Sequence, residues 1–422
     1  MALDNLRTLE VSPLWIIPFI LLLLFIAIAP FIHRHWWEKN YPIVSFSLGL
    51  LVLLYYLFNH NASRMGHTAL EYFSFISLLA SLFVVTGGFL IHLKTTATPL
   101  VNTLFLLFGA IIANIIGTTG ASILLIRPYL RINKPRLKDY HVIFFIFLVS
   151  NIGGVLTPIG DPPLFLGYLR GVPFFWVIKN LWSNWILGVG LTLLVFLGFE
   201  ISTYLGVREK SEPNRHEAEK ARLEIKGRKN AFFLLLILIA VFIVTPWREI
   251  IMLSVAAIAY LSADKKILQE NEFNFTPIKE VAILFAGIFA TMTPALDWLE
   301  LNSSKIGLHT PGHYYWATGS LSSVLDNAPT YLNFLSAALG LKQASVAELL
   351  ERYPIFVKAI SAGAVFFGAM TYIGNGPNFM IKSIAEHSGA KCPSFFGYII
   401  KYSLPILFPI FTIIWCLFYR TG

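Results

Sequence analysis

Two carboxylates stand inside apolar stretches of this chain, each framed by residues that break helices. Asp161 ends the run Asn151-Ile-Gly-Gly-Val-Leu-Thr-Pro-Ile-Gly-Asp161, and Asp326 begins Asp326-Asn327-Ala328-Pro329. Around them lie side chains that carry oxygen but no charge. Asn114, Thr118 and Thr119 border a break at Gly117-Thr118-Thr119-Gly120. Asn151 and Thr157 precede Asp161, and Asn327 and Thr330 follow Asp326. Thr371, Asn375 and Asn378 surround a fourth break at Gly374-Asn375-Gly376-Pro377. Oxygen donors with two carboxylates suit a hard cation such as Na⁺. They suit H⁺ equally, because a low-dielectric surrounding disfavours the charged carboxylate. Each break also leaves helix ends, whose N-termini favour anions and whose C-termini and free carbonyls favour cations. All these residues are the expected ion- or substrate-binding set, with Asp161 and Asp326 as the proton-coupling groups. The structural rival is that each Asp merely caps the helix after its break.

Other acids read differently. Glu71, Glu280, Glu200 and Asp297 fall near predicted helix ends, where a long side chain reaches interfacial water. Glu280 ranks next after the two aspartates. Trp36, Trp37, Trp182 and Trp185 have the placement of membrane-interface anchors.

The elements that must position these residues belong in lipid. Of 422 residues 56% are hydrophobic and only 13% charged, about half the charge of a soluble domain. One soluble core cannot hide so much apolar surface. The net charge of +9 does not mark a nucleic-acid binder, since no basic run sits on a water-soluble domain. Cys392 and Cys416 are too few for a disulfide framework. A Gly-rich phosphate loop and a Gly-x-Ser-x-Gly elbow are absent, and no zinc-type spacing is read. No enzyme, ATP drive, resident metal or cofactor is expected.

The hydropathy pattern predicts helices at 12–33, 41–59 and 67–93. A hairpin follows over 98–130, then a broken helix over 140–169 and a helix at 183–203. The first run resembles a signal peptide but is too long for one, so it counts as the first span. Segment 204–230 carries eight basic and five acidic residues and reads as a solvated linker or short surface helix. The pattern then recurs: helices at 231–247, 249–263 and 280–297, a hairpin over 312–340, a broken helix over 359–388, and a helix at 395–419. Locally, 157–165 and 371–379 agree at five of nine positions, 371 − 157 = 214 residues apart, with Asp161 facing Asn375. The expected organisation is therefore an N-terminal repeat, 1–203, a cytoplasmic linker, 204–230, and a C-terminal repeat, 231–422. Matching helix breaks in two halves are the best sequence pointer to a transporter site.

If both hairpins are re-entrant, each half crosses five times and the second half is inverted. With the linker in the cytoplasm, 22 of the 32 Lys and Arg lie inside and 10 outside, as the positive-inside rule requires. The fold expected is an all-α multi-pass inner-membrane protein of two inverted repeats, with broken helices at the midplane.

At the breaks the chain resembles a known family. The run ending in Asp161 is similar to the first signature of NhaD-type sodium/proton antiporters. Ser322-Ser-Val-Leu-Asp326-Asn327-Ala-Pro329 is similar to their second. These belong to an ion transporter superfamily that also holds arsenite exporters and citrate or dicarboxylate carriers. The resemblance implies a homodimer, with a mobile transport part moving against a scaffold, and Asp161 and Asp326 exchanging Na⁺ and H⁺. Pro162-Pro163 departs from the small hydroxyl residues expected after Asp161. The expected function is Na⁺(Li⁺)/H⁺ antiport, with a Na⁺- or H⁺-coupled citrate or organic anion carrier as the alternative. A passive channel is disfavoured because channels usually line a pore with several subunits.

Overall fold

The structure, a computed structural model, describes residues 10–208 and 222–420. Among these, eight helices are long and apolar enough to cross a membrane. The pair Val346–Arg352 and Pro354–Met370, bent by 102°, adds a ninth if taken as one span. Large apolar side chains face outward along the long helices, Leu50, Leu194 and Leu417 among them. Patches of that extent suit acyl chains and not water. The chain is an all-α multi-pass membrane protein.

Its elements come in two matching series. Helices beginning at Ile17, Arg34, Ala62, Pro99, Asp139 and Pro162 are answered by Lys229, Trp247, Thr276, Pro311, Pro354 and Gly376. Each partner starts close to the 214-residue offset of the local repeat.

Both hairpins fold back on themselves. Helical segment Pro99–Asn133 is interrupted at Gly117, with φ 78° and ψ 154°. Its two ends then meet: Asn102 and Asn133 exchange side-chain hydrogen bonds of 2.7 and 3.0 Å, and Phe105 stacks on Tyr129 at 5.2 Å. The second hairpin, Pro311–Ser322 and Asn327–Lys342, sets Tyr314 edge-on to Phe334 at 6.2 Å. Gly117 is the one residue whose backbone angles turn the first hairpin, and that region is nearly closed to side chains. Gly117→Ala is expected to cost about 1–3 kcal/mol. Thermal unfolding of the purified variant in detergent checks this, and an unchanged midpoint would mean the tip is not strained.

Several expected boundaries move. The third helix stops at Gly87, not 93, and Leu90–Lys94 is a strand paired antiparallel with Arg222–Lys226. Gly87-Gly88 explains the stop. Asn230 Nδ2 occupies the space where a side chain on residue 88 would lie, and it donates to Val85 O at 2.9 Å. The described part of 204–230 is a helix end, a strand and the start of the next helix; residues 209–221, which hold most of the charges behind the reading of a solvated linker or short surface helix, lie outside the described residues. The helix expected at 231–247 is shorter, Lys229–Ala240, and the one expected at 249–263 starts two residues earlier, Trp247–Leu261, with a turn at Pro246 between them. The last helix holds a π-helical stretch, Ile399–Leu407, where Pro405 and Pro409 supply no N–H and the coil widens.

Contacts sort the loops onto two faces. The strand pair joins loop 90–94 to the linker, and Arg127 meets Glu272 at 2.7 Å on that same side. On the other side Phe174 packs on Phe242 at 4.7 Å, and Tyr168 Oη donates to Val241 O.

Candidate functional site

The two broken helices are held open by the same local device. A Cβ on Gly154 would lie 2.8 Å from Gly160 O, and one on Gly374 would lie 2.7 Å from Gly368 O. Only glycine lets the backbone cross itself so closely. Thr157 and Thr371 then play one role twice. Thr157 Oγ1 donates to Asn114 O at 2.6 Å and accepts from Gly160 N at 3.0 Å. Thr371 Oγ1 donates to Ser323 O at 2.5 Å and accepts from Gly374 N at 3.1 Å. Each threonine staples its broken helix to the hairpin of its own half. Thr118 N–H donates to Gly160 O at 2.7 Å, which docks the first hairpin tip onto the loop before Asp161.

This frame delivers donors from both halves to one carboxylate. Asp161 is 1% exposed. Its Oδ1 accepts from Thr118 Oγ1 at 2.6 Å and from Asn375 Nδ2 at 3.0 Å, and its Oδ2 accepts from Asn327 Nδ2 at 2.6 Å. Bonds to an ionised acceptor are the strong kind. Asn375 Nδ2 also lies within bonding distance of Ser150 O and Asn151 Oδ1, and Asn151 Nδ2 donates to Asn378 Oδ1 at 2.8 Å. A chain of amides thus crosses the seam between halves, with one carboxyl group at its end. The Asp161 side chain makes no cap bond, so the capping rival fails there. It holds for Asp326, whose Oδ1 accepts from Ala328 N at 3.0 Å.

Beside this hub lies a cavity of about 360 Å³. Four helices begin at it. Thr118, Thr119 and Gly120 open the second arm of the first hairpin, Pro162 opens Pro162–Leu169, Asp326 caps Asn327–Lys342, and Gly376 and Pro377 open Gly376–His387. Four positive dipole ends therefore converge on one space. Helices Ala62–Gly87 and Thr276–Asn302 form the opposite wall, which carries Glu280 at its exposed edge. Asp161 sits immediately behind the polar wall, bonded to Thr118 and Asn375, with Asn327 bonded to its other oxygen.

The predicted residues thus divide into groups. Thr118, Thr119, Asp326 and Asn375 line the cavity, and Asp161 and Asn327 back it. Asn151 and Asn378 tie the halves together one step further out. Asn114, Thr157, Thr330 and Thr371 spend their polar atoms on backbone: Asn114 Nδ2 bonds Gly153 O at 2.6 Å, and Thr330 Oγ1 bonds Asp326 O at 2.8 Å.

The reading of the remaining acids is corrected for three of the four. Glu71, Glu200 and Asp297 do not reach water; each is buried on cations from distant segments. Glu71 pairs with Arg170 at 2.6 Å and Asp297 with Arg64 at 2.8 Å. Glu200 meets Arg136 at 2.5 Å and His141 at 2.7 Å. Pairing removes the need to reach the interface, and sequence spacing gave no sign of it. Trp185 is likewise no simple anchor: its Nε1 donates to Gly153 O at 2.9 Å, bracing the first break. Trp37 is buried as well, whereas Trp36 and Trp182 are exposed as interface residues should be. His309 and His313 stand four apart, but His313 Nδ1 lies against His309 N–H. Among the described residues no group of three His, Cys, Asp or Glu could hold a metal, and both cysteines are free.

No curated protein matches the chain. A family model described as "Putative citrate transport" matches residues 8–419, nearly its whole length and every element of the site. On that match, the chain belongs to this citrate-transport family of multi-pass membrane proteins.

Proposed function

We propose that the protein is a secondary transporter that moves a small carboxylate anion together with a coupling cation, H⁺ or Na⁺. The observation that carries this reading is the convergence of four helix N-termini on one cavity backed by Asp161. N-termini of interrupted helices are where transporters receive anionic groups, and the family's description points the same way.

In this reading Thr119 and the free first-turn amides receive the anion, while Thr118 and Asn375 hold Asp161 behind them. Asp161 and Asp326 carry the coupling. As an anion, Asp161 is saturated by donors from both halves. Once protonated it holds an O–H that needs an acceptor, and Asn327 Oδ1 is a buried oxygen without a partner. Rotation of the Asn327 amide would turn its oxygen towards Asp161 and its Nδ2 away. One proton would then change how the second hairpin is held to the first half. Motion of hairpins and broken helices against Ala62–Gly87 and Thr276–Asn302, a homodimer, and an inner-membrane location with the linker inside complete the proposal.

A second reading, Na⁺(Li⁺)/H⁺ antiport, draws on the charges in the lining: among the described residues Asp326 and Glu280 are present and no basic side chain is. Everted vesicles holding a ΔpH separate the two when NaCl, LiCl, KCl or citrate is added before a pH-sensitive dye. Dequenching by Na⁺ or Li⁺ alone means antiport. No cation response, with gradient-driven uptake of labelled carboxylate into right-side-out vesicles, means anion transport.

Asp326→Asn tests the coupling role separately from the cap. Asparagine caps about as well as aspartate, so the fold should persist while coupled transport drops by at least about tenfold, the loss a 1.4 kcal/mol change in the coupled step gives. Uptake rates of the variant at matched expression decide it, and wild-type rates would reduce Asp326 to a cap.

A further inference from the structure

The cavity has two walls of opposite chemistry. One is the set of helix first turns with Thr118, Thr119 and Asn375. The other is hydrocarbon: Leu79, Leu82 and Phe83 from Ala62–Gly87, and Val281 and Phe285 from Thr276–Asn302. Phe379 and Met380 carry the apolar surface round onto the second broken helix. Among the described residues Arg, Lys and His are absent from the lining, and its two charged groups, Asp326 and Glu280, are both acids. Of the basic residues close to the helix breaks in sequence, Arg127 pairs with Glu272 at 2.7 Å and Lys382 with Glu386 at 2.9 Å.

A tricarboxylate is a poor match for such a space. One carboxylate can rest on the helix ends. The others would face carbon or a second carboxylate, and an ionised group moved from water without a partner is strongly penalised. A ligand with one carboxylate and an apolar body satisfies both walls at once, its head on the N-termini and its body on Leu79, Val281 and Phe379. The volume lies at the small end of the range that encloses small-molecule ligands, enough for a medium-length alkyl chain or an aromatic ring. We infer that the transported anion is a monocarboxylate with an apolar body and not a tricarboxylate. This rests on the anion-carrier reading and narrows its substrate class.

The full-length protein in lipid nanodiscs, at fixed Na⁺ and pH, is titrated with straight-chain carboxylates from acetate to octanoate, with phenylacetate, with citrate and with straight-chain alkylamines, and in a separate series with NaCl or LiCl alone. Binding is read as thermal stabilisation. Each methylene placed on the apolar wall should tighten binding about fourfold, from roughly 0.8 kcal/mol per buried CH₂, until the cavity is full. Val281→Asn, at a half-buried wall position, should weaken hexanoate about tenfold. A series flat in chain length, with citrate binding tightest, overturns the monocarboxylate class and leaves the anion-carrier reading standing. Stabilisation by an alkylamine series in place of the carboxylates overturns the sign of the ligand. Stabilisation by Na⁺ or Li⁺ alone, with no carboxylate bound, removes the anion-carrier reading itself.

Discussion

Asp161→Asn is expected to lower coupled transport at least about a hundredfold, the loss that follows when roughly 3 kcal/mol of interaction is removed from a working step. The reason lies in the donors around it. Thr118 Oγ1, Asn375 Nδ2 and Asn327 Nδ2 all point at its two oxygens. An amide there keeps one oxygen and turns an NH₂ group towards donors. The charge is gone, and at least one buried donor is left without an acceptor, at about 1–3 kcal/mol. Uptake into vesicles, with expression and monodispersity of the purified variant as controls, reads the loss. Because Asp161 and Asn375 are matching positions in direct contact, the exchange Asp161→Asn with Asn375→Asp returns a carboxylate to the same bond. If that double variant recovers at least about tenfold in rate over the single one, the hub works through its charge. A single variant that transports at the wild-type rate would sink the coupling role altogether.

The second large effect is on stability. Asp297 accepts from Tyr56 Oη at 2.7 Å and from Arg64 Nε at 3.0 Å, and pairs with a second Arg64 nitrogen at 2.8 Å. Those three residues belong to Arg34–Phe58, Ala62–Gly87 and Thr276–Asn302, so one carboxylate joins three helices of the wall opposite the hairpins. Arg64 is 5% exposed. Asp297→Ala strands that guanidinium in the interior and should destabilise the protein by about 3–5 kcal/mol, whereas replacing both partners with apolar residues should cost much less. Thermal unfolding of Asp297→Ala beside Arg64→Met/Asp297→Leu measures the difference. A single variant that melts no lower than the double one would mean the pair carries little.

The two predictions separate the chain into a part that works and a part that holds. Transport should respond to Asp161 and Asp326, where helices are broken and amides cross between halves. Stability should respond to buried ion pairs away from the cavity, such as Asp297 with Arg64. Glu200 with Arg136, His141 and Tyr140 has the same character, since it sits where Asn102 and Asn133 close the open end of the first hairpin. The second hairpin has aromatic rings at the corresponding end, Tyr314 with Phe334 and Phe356.

What the sequence determined by itself was local or periodic. Apolar runs of spanning length can only be helices in lipid, because backbone groups have no other partner there. Gly, Pro and Asn within such runs must interrupt them, so the four breaks were legible, as was the likeness of 157–165 to 371–379. Asp161 and Asp326 stood out because charge is rare in those surroundings. Tertiary structure decided what depends on distance between segments far apart in the chain. It chose Asp161, and not Asp326, as the acceptor for three donors, because Asn327 and Asn375 arrive from the other half. It buried Glu71, Glu200 and Asp297, which spacing alone places at water, since their arginines come from other helices. It ended the third helix at Gly87 because Asn230, at the far end of the linker, fills the space beside Gly88. Periodicity reports which side of a helix is apolar, but a polar atom's partner is set by packing, and packing is a property of the whole chain.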